Sequence, residues 1–490
     1  MRRLLPLLLL LACSSELEVS LDGQVIESGH VLDLGVIRKN EVLSEYAELT
    51  LHNVGGGKLD IEAIELPAGV AVVRGELPAE LPSDRPFPVR LGLLAAESGE
   101  VSGTVVIRHG RKGKEAFELD VSGEVIPYVQ LDLQDWPEVT DAVTTRFDAD
   151  RLVGAAAAIV EDQSIVWMEG FGDADREQGI AVDPSVHRFR WASLSKGLTA
   201  TAAATLVDDG ALSFDDVVSD TLTEWPVPGT YLPAGCQADD CAQPLPDDAP
   251  PVTLRMLLSH TAGVQHYTNG VADARPPQVM ANTPETNTGM AWALEYFWDH
   301  PYVAVPGSAY SYTTFGLNLA GVHIEEASGE DLGALVEERI SGPLDITTLQ
   351  PDWHWDHAPD RVAHYRMADE DVVLDGDNDV SWKLAGGGFT SSVEDLGRYC
   401  AGLLGDVIVR PGTRDDQLWA AQPPATSYGL GFGVGGSEGA RVISHTGAQE
   451  GTRTAILIYP DEGRCYVFMT NSSWADPAAY ARILRNSEPR

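Results

Sequence analysis

Basic residues are scarce in this sequence. Its 490 residues contain 33 lysines and arginines against 74 aspartates and glutamates, a formal net charge of −41 near neutral pH. Because such a chain would be repelled by the phosphate backbone of DNA or RNA, the composition argues against nucleic-acid binding. We expect the acidic side chains to form a solvated surface that keeps an exported protein soluble.

Long apolar runs are also scarce, and the single strong one lies at the N-terminus. Residues 1–13 combine two arginines, a leucine-rich core and the ending Leu11-Ala12-Cys13, which predicts an export signal too short to span a bilayer. The ending resembles a bacterial lipobox, which implies cleavage before Cys13 and lipidation of that cysteine. We expect a lipid-anchored protein of the bacterial cell envelope, on its periplasmic or surface side. A plain secretory signal, and hence a secreted protein, is the alternative.

The remaining cysteines are few. Cys236 and Cys241 lie in a loop rich in Gly, Asp and Pro and are candidates for a disulfide in an oxidising compartment. Cys400 and Cys465 could pair or remain buried thiols. No second C-x-x-C pair and no nearby histidine cluster accompanies them, so we predict no metal site.

The chain divides by its patterns into several regions. Residues 16–127 show short alternating stretches broken by Gly, Pro, Asn and Asp, which predicts an all-β sandwich. Residues 51–61 and 98–104 resemble immunoglobulin-like modules of bacterial surface proteins, so a spacer or a protein-binding role is expected. We expect a linker over 128–140 after the sandwich. A domain with alternating helix and strand signals should then extend over 141–475, followed by a tail over 476–490.

One segment of the second domain predicts a buried helix with a reactive pair. Its apolar residues recur every fourth position and Gly210 suits a left-handed C-cap; the apolar positions are Leu194, Leu198, Ala202 and Leu206. Ser193 and Lys196 are three residues apart and therefore share a face. A lysine amine shielded from water can accept the serine proton. The ordinary alternative is an unreactive serine and lysine in a first helical turn.

Two later segments supply further candidate groups. Tyr312 lies in a predicted loop before a helix over 317–327, where a rigid element can aim its phenol into a cleft. His445-Thr446-Gly447 lies in a predicted strand, and Gly447 permits close approach of a substrate to the strand edge. The N–H of Ala448 could join that of Ser193 in an oxyanion hole.

Taken in order, these segments resemble the serine β-lactamase-like and penicillin-binding family, peptidase S12 type, especially its class C members and related esterases and D-aminopeptidases. The resemblance also covers residues 257–263, 306–307, 385–396 and 428–431. It implies an α/β (α+β) domain with a central antiparallel sheet, and neither a cofactor nor a metal. His260, in the first of these blocks, is expected to be a structural histidine.

The resemblance also implies roles for individual residues. Ser193 matches the acylated nucleophile, Lys196 the helical lysine, Tyr312 the general-base tyrosine, and His445-Thr446-Gly447 the strand motif K-T-G. Thr314 stands where penicillin-hydrolysing members have Asn, and His445 replaces Lys. We expect His445 to offer a weaker, titratable positive charge to a substrate carboxylate or to Tyr312. Both departures argue against efficient β-lactam hydrolysis.

The predicted function is two-step acyl transfer to water. The expected substrates are a small acyl ester, a peptide or a cell-wall-derived amide, and the β-sandwich could bind a protein partner. The alternative is a non-catalytic envelope protein that binds peptidoglycan or peptide fragments without turnover.

Overall fold

The computed structural model describes residues 16–489 except for residues 22, 41–45, 56, 75–78, 84, 111–114, 237–238, 268–289, 354, 356–358 and 377. The predicted signal and Cys13 lie outside these residues. The chain divides into two compact units, Met1–Tyr128 and Val129–Arg490. Within the described ranges, no helix combines the length and apolar character needed to cross a bilayer.

The first unit is built from strands alone in its described part. They are β1 Leu17–Leu21, β2 Gln24–Ile26, β3 His30–Arg38, β4 Ala47–Asn53, β5 Leu59–Glu65, β6 Val70–Arg74, β7 Glu80–Leu81, β8 Phe87–Leu93, β9 Gly99–His109 and β10 Glu115–Ile126. One sheet has the order β2-β1-β4-β8-β6 and the other β3-β10-β9-β5-β7. Most neighbours are antiparallel, whereas β3 and β10 run parallel.

The two sheets bury one face each against a shared core. In β4, Leu49 and Leu51 are buried and the residues between them are only partly covered, as the twofold period of a strand requires. They pack in one cluster with Ile107 of β9 and with Leu119 and Val121 of β10. The predicted β-sandwich is therefore confirmed.

The second unit contains one large mixed sheet and several short ladders. Its strands are β11 Gln130–Leu131, β12 Gly154–Glu161, β13 Ser164–Asp175, β14 Ile180–Ala181, β15 Phe189–Arg190, β16 Thr230–Tyr231, β17 Gln243–Pro244, β18 Gln350–Pro351, β19 Tyr365–Ala368, β20 Asp371–Leu374, β21 Phe389–Ser391, β22 Gly433–Ser437, β23 Ala440–Gln449, β24 Thr452–Tyr459 and β25 Arg464–Thr470. The large sheet has the order β11-β13-β12-β25-β24-β23-β22. Except for the parallel pair β11 and β13, these neighbours are antiparallel.

Helices cover this sheet and form a layer beside it. They are α1 Pro137–Asp150, α2 Ser195–Asp208, α3 Val218–Thr221, α4 Leu254–Leu258, α5 Ala291–Leu294, α6 Thr314–Ser328, α7 Leu332–Val336, α8 Leu384–Gly387, α9 Val393–Leu404, α10 Pro411–Thr413 and α11 Pro477–Ser487. The predicted α/β class with a largely antiparallel central sheet is confirmed.

Strand β12 is apolar at every position from Ala155 to Val160, rather than at alternate positions, because both of its faces are covered. Ala157 and Ile159 belong to the core cluster that includes residues of α1 and α11. On the other face, the α9 residue Gly397 packs so closely that a Cβ there would lie 3.0 Å from Ile165 and 3.7 Å from Val160. A strand covered on both faces needs apolar side chains on both.

The boundaries of the second unit differ from the predicted ones. Helix α1 begins at Pro137, inside the predicted linker, and α11 occupies most of the predicted tail. In α11, Tyr480 and Leu484 are buried against the sheet, and the ring of Tyr480 stacks on Phe468 with centroids 4.1 Å apart. Each helix buries only part of its surface, Val139 and Val143 in α1 and mainly Tyr480, Ala481 and Leu484 in α11, and it does so against distant parts of the chain.

The cysteines differ in state. Cys236 and Cys241 form the predicted disulfide. Cys400 and Cys465, which the sequence left open, are free thiols, and both are buried.

A buried ion cluster supports the segment that leads into the Ser193 turn. Arg190 of β15 and Arg361 both pair with Asp352, at 2.6 and 2.7 Å. The side chains of Arg190 and Asp352 are 2% and 1% exposed. Burial alone would raise the pKa of Asp352, but the two guanidinium groups hold it below its usual value.

We predict that Asp352→Ala destabilises the second unit by about 3–5 kcal/mol, because it leaves buried arginines without their counter-charge. Unfolding in urea, followed by tryptophan fluorescence, measures this directly, since all 11 tryptophans lie after residue 128. The wild-type contribution should be present above the pKa of an unfolded aspartate, about 3.9, and be lost as pH falls through the lower folded pKa.

Glu462→Ala is the matched control, because Glu462 pairs with Arg485 at 2.9 Å but is 45% exposed. It should change the unfolding free energy by less than about 1 kcal/mol. Equal losses in the two variants would contradict a special role for the buried cluster.

Candidate active site

Ser193 lies in a tight turn at the start of α2. Residues Ala192–Leu194 form one turn of 3-10 helix that runs directly into α2 at Ser195. Ala192 has φ of +47°, a left-handed conformation that costs a residue with a Cβ about 1–2 kcal/mol. The residue before the candidate nucleophile is therefore strained, and the packing around it must hold it in place.

Lys196 points at Ser193 from the next turn. Its Nζ lies 3.1 Å from Ser193 Oγ, 3.3 Å from Thr314 Oγ1 and 2.5 Å from the carbonyl oxygen of Gly386. Thr314 begins α6 and Gly386 lies in α8. Three segments distant in sequence thus meet at one amine.

The environment of Lys196 favours the uncharged amine. The residue is completely buried, and no carboxylate of the described residues lies within ion-pair distance of its Nζ. Burial, with a smaller contribution from the positive charge of Lys383, lowers the pKa of Lys196 well below its usual value. A neutral amine can donate its two hydrogens to Gly386 and Thr314 and accept the hydroxyl hydrogen of Ser193.

Tyr312 approaches Ser193 from the other side. It lies in the loop before α6, and Lys196 Nζ lies 5.0 Å from the centre of its ring. Burial raises the pKa of Tyr312 above its usual value, and the neighbouring Ser193 side chain, which lowers the pKa, offsets this only in part. The resting phenol therefore keeps its proton, and Lys196 is the base available at rest.

Two histidines hold the main chain that follows Tyr312. His260 Nδ1 accepts the N–H of Thr313 at 3.2 Å, and His266 Nδ1 accepts that of Thr314 at 3.1 Å. The ring of His260 also packs on Tyr312 with centroids 4.4 Å apart. Its Nε2 has no hydrogen-bond partner among the described residues. Only one of the two ring nitrogens of this expected structural histidine therefore forms a hydrogen bond there.

The C-terminal half of β23 forms the third wall of the site. Strand β22 pairs with β23 only over residues 440–444, which leaves the edge of residues 445–449 without that partner. A Cβ at Gly447 would lie 2.4 Å from the carbonyl oxygen of Trp191 and 3.0 Å from Ala192 Cβ. Glycine is therefore required for β23 to approach the turn that carries Ser193. Thr446 and Ala448 are exposed beside it.

His445 does not carry the positive charge expected from the sequence. Its Nδ1 lies 2.8 Å from the carbonyl oxygen of Thr446, so Nδ1 holds the proton and donates it. Its Nε2 is then an acceptor and lies 3.0 Å from the hydroxyl of Tyr428. Burial, assisted by Lys196, lowers the pKa of His445 to about 4. The imidazole is neutral near pH 7 and is not available as a cation for a carboxylate.

The structure brings Ser193, Lys196, Tyr312 and Thr314 into contact and sets His445 to Ala448 beside them. Sequence reasoning gave no role to Tyr428, His266 or Lys383. Tyr428 lies in one of the blocks that carried the family resemblance, but no spacing in the sequence connects it with His445. Within the described ranges, no group of three or more His, Cys, Asp or Glu side chains is arranged to bind a metal ion.

Comparison with known proteins agrees with this geometry. Residues 139–487 match the family described as beta-lactamase. The chain belongs to the beta-lactamase family. The resemblance inferred from the motifs is thereby confirmed.

Individual members of the family are distant in sequence. A D-aminopeptidase of Cereibacter sphaeroides (strain ATCC 17029 / ATH 2.4.9) is 25% identical over 366 residues, 72% of this chain and 63% of that protein, so the match spans less than two thirds of the relative. Penicillin-binding protein 4* of Bacillus subtilis (strain 168) is 24% identical over 353 residues, 67% of this chain and 70% of that protein. The octameric penicillin-binding protein homologue from Pyrococcus abyssi shares the fold, with a TM-score of 0.57 at 21% identity over 71% of this chain and 76% of that one.

We predict that Tyr428→Phe raises the pKa of His445 from about 4 towards the ordinary histidine range. Removal of the hydroxyl leaves Nε2 of the neutral ring without its donor, which disfavours the neutral form relative to the protonated one. Carbon-13 NMR of protein labelled at histidine measures the titration, and His445→Asn identifies the signal.

Tyr310→Phe is the matched control. Its ring lies 5.8 Å from that of Tyr428, and no hydrogen bond links Tyr310 to His445 in the described part of the chain. It should leave the titration of His445 unchanged. An unaltered His445 pKa in Tyr428→Phe would contradict the assigned hydrogen bond.

Proposed function

We propose that the protein is a serine hydrolase that cleaves an ester or amide through an acyl-enzyme on Ser193. The observation that carries the proposal is the Lys196 amine, which is fully buried, without a carboxylate partner in the described residues, and 3.1 Å from Ser193 Oγ. A structural lysine would be expected either to reach solvent or to pair with an acid. A neutral amine aimed at a hydroxyl is the arrangement that activates a serine nucleophile.

In the first step, Lys196 takes the Ser193 proton while Oγ attacks the substrate carbonyl carbon. The N–H groups of Ser193 and Ala448 are the proposed donors to the developing oxyanion. Tyr312, a protonated phenol beside Ser193, then donates its proton to the leaving oxygen or nitrogen. The phenolate recovers a proton from the neighbouring Lys196 ammonium, so Ser193 has lost one proton, the leaving group has gained one, and Lys196 and Tyr312 are restored.

In the second step, the acyl-enzyme is hydrolysed. Lys196 is again neutral after acylation and can deprotonate a water that attacks the ester carbonyl of acyl-Ser193. Collapse of the second tetrahedral intermediate returns the proton to Ser193 Oγ and releases the acid. Every proton-transfer group in this scheme begins and ends a turnover uncharged.

The proposed substrates are a small acyl ester, a peptide or a cell-wall-derived amide. The relatives described as a D-aminopeptidase and a penicillin-binding protein support amides of this kind. The neutral state of His445 and the contact of Thr314 with Lys196 favour esters and peptides over β-lactams, because penicillin-hydrolysing members have a lysine and an asparagine at these two positions.

We also propose that the protein is anchored to the bacterial cell envelope through a lipid on Cys13. The support is the Leu-Leu-Ala-Cys ending of the N-terminal apolar run. The proposed role of the β-sandwich is to hold the hydrolase unit away from the membrane or to bind a protein partner.

We predict that a fluorophosphonate probe forms one covalent adduct with the protein and none with Ser193→Ala. The same substitution should lower kcat/KM for an acyl ester at least about a thousandfold, because it removes the attacking oxygen. Intact-protein mass spectrometry and ester hydrolysis are the two measurements. A penicillin tested in parallel should label the protein much less efficiently than the fluorophosphonate.

Ser195→Ala is the matched control. Ser195 is buried, but its Oγ accepts the N–H of Phe389 at 3.2 Å and forms no hydrogen bond with Lys196 in the described part of the chain. This variant should retain the adduct. Labelling that survives Ser193→Ala would refute the assigned nucleophile, and an adduct without turnover would favour the non-catalytic binding protein.

We further predict that Cys13→Ser abolishes incorporation of labelled palmitate in a bacterial host and moves the protein from the detergent phase to the aqueous phase in Triton X-114 partitioning. Cys465→Ser is the control, because Cys465 is a buried thiol and cannot be the lipidated residue. Labelling of the Cys13→Ser protein would exclude the proposed anchor.

A further inference from the structure

A cavity of about 380 Å³ opens at the C-terminal end of β23, and its wall includes Ala448, Gln449 and Arg453. Gln449 in the cavity wall lies close to Gly387, which also lies close to the Ser193 turn. A Cβ at Gly387 would lie 3.6 Å from Gln449 Oε1 and 3.7 Å from the main chain of Ala192. The cavity therefore lies beside the turn that carries Ser193.

Arg453 is a cation held in position at the cavity wall. It lies opposite Ala448 in the register of β23 and β24. Its Nη1 donates to the carbonyl oxygens of Gln449 and Thr452, at 2.9 and 2.7 Å. Among the described residues, no carboxylate lies within ion-pair distance of its guanidinium group. The main chain thus orients the guanidinium without neutralising it.

Partial burial of the charged Arg453 guanidinium costs free energy, which a bound anion would offset. The side chain is only partly exposed, and burial lowers the pKa of Arg453, with partial compensation by the charge of Glu450. A half-buried arginine without an ion-pair partner gains more from a bound anion than a solvated one does.

Two of the carboxylates in the cavity wall, Asp375 and Asp379, have partners of their own. Asp375 pairs with Arg366 at 3.3 Å, and Asp379 accepts hydrogen bonds from Ser381 N and Oγ at 2.9 and 2.6 Å. Lys383 also lines the cavity, and its positive charge lowers the pKa of Lys196.

The arrangement of the site decides which part of the substrate reaches this cavity. Tyr312 is the proposed proton donor to the leaving group, and it lies on the side of β23 that carries His445, with ring centroids 6.4 Å apart. Arg453 and the cavity lie beyond Gly447, at the other end of the exposed edge. The leaving group therefore departs on the His445 side, and the acyl group extends towards Arg453.

We propose that this cavity is a subsite for a carboxylate on the acyl part of the substrate, bound by Arg453. The proposal rests on the proposed hydrolase function and narrows its substrates to esters or amides of a dicarboxylic acyl group. Arg453 acts as a specificity-determining residue, since it contacts the substrate far from the bond that is cleaved.

The kinetic test compares two esters that differ in one charge, mono-4-nitrophenyl glutarate and its methyl ester. In wild type, kcat/KM should be higher for the anionic ester. Arg453→Gln should lower the ratio of the two values about 10- to 100-fold, because a charge-assisted bond to the carboxylate is lost. Arg453→Lys should restore part of the ratio, since it keeps the charge but loses the planar donor pair.

Arg441→Gln is the matched control, because Arg441 lies on β23 but pairs with Asp461 at 2.8 Å. It should leave the ratio unchanged. A ratio that is unchanged in Arg453→Gln, or equal losses for both esters, would overturn the subsite, since equal losses are what a purely structural role produces.

A binding measurement separates this proposal from the hydrolase function. Calorimetry on the Ser193→Ala protein, with glutaric acid mono-4-nitroanilide and its methyl ester as inert probes, should detect tighter binding of the anion that Arg453→Gln abolishes. If the wild-type protein hydrolyses neither ester but this dependence on Arg453 holds, the hydrolase function fails and the subsite stands. If the anion binds no better than the methyl ester, the subsite is refuted.

Discussion

The exclusion of water from the Lys196 amine is the constraint on which the rest of the site depends. An ammonium ion in this position would have no counter-charge in the described structure, so burial favours the neutral base. That burial is produced by α2, which is covered on nearly all sides, and by the carbonyl of Gly386 and the hydroxyl of Thr314, which accept the two amine hydrogens. Loss of any of these contacts would admit water and restore an ordinary lysine.

Close approach of the main chain makes this enclosure possible. A Cβ at Gly386 would lie 2.6 Å from Thr314 Cγ2, and one at Gly447 would lie 2.4 Å from the carbonyl of Trp191. The strained turn at Ala192 is therefore held between β23 and α8. The buried pair of Arg190 and Asp352 supports the same turn from the N-terminal side.

The site separates proton transfer from recognition of charge. Lys196 and His445 are neutral at rest, and Tyr312 retains its proton. The guanidinium of Arg453 lies further out, in the wall of the cavity at the end of β23. In the proposed subsite, the charge of the substrate is recognised away from the groups that transfer protons.

By itself, the sequence determined the features that depend on neighbouring residues and on the order of motifs. These include the β-sandwich of the first unit, the helix that carries Lys196 three residues after Ser193, and the family to which the chain belongs. Only the tertiary structure decided the protonation states of the active-site side chains and the residues with which they form hydrogen bonds. Burial of His445, whose Nε2 lies 3.0 Å from the hydroxyl of Tyr428, lowers its pKa to about 4 and removes the expected charge. One face of α1 and one face of α11 pack on the sheet. Desolvation and hydrogen bonding between distant segments have no local pattern in a sequence, because they arise only when those segments are brought together.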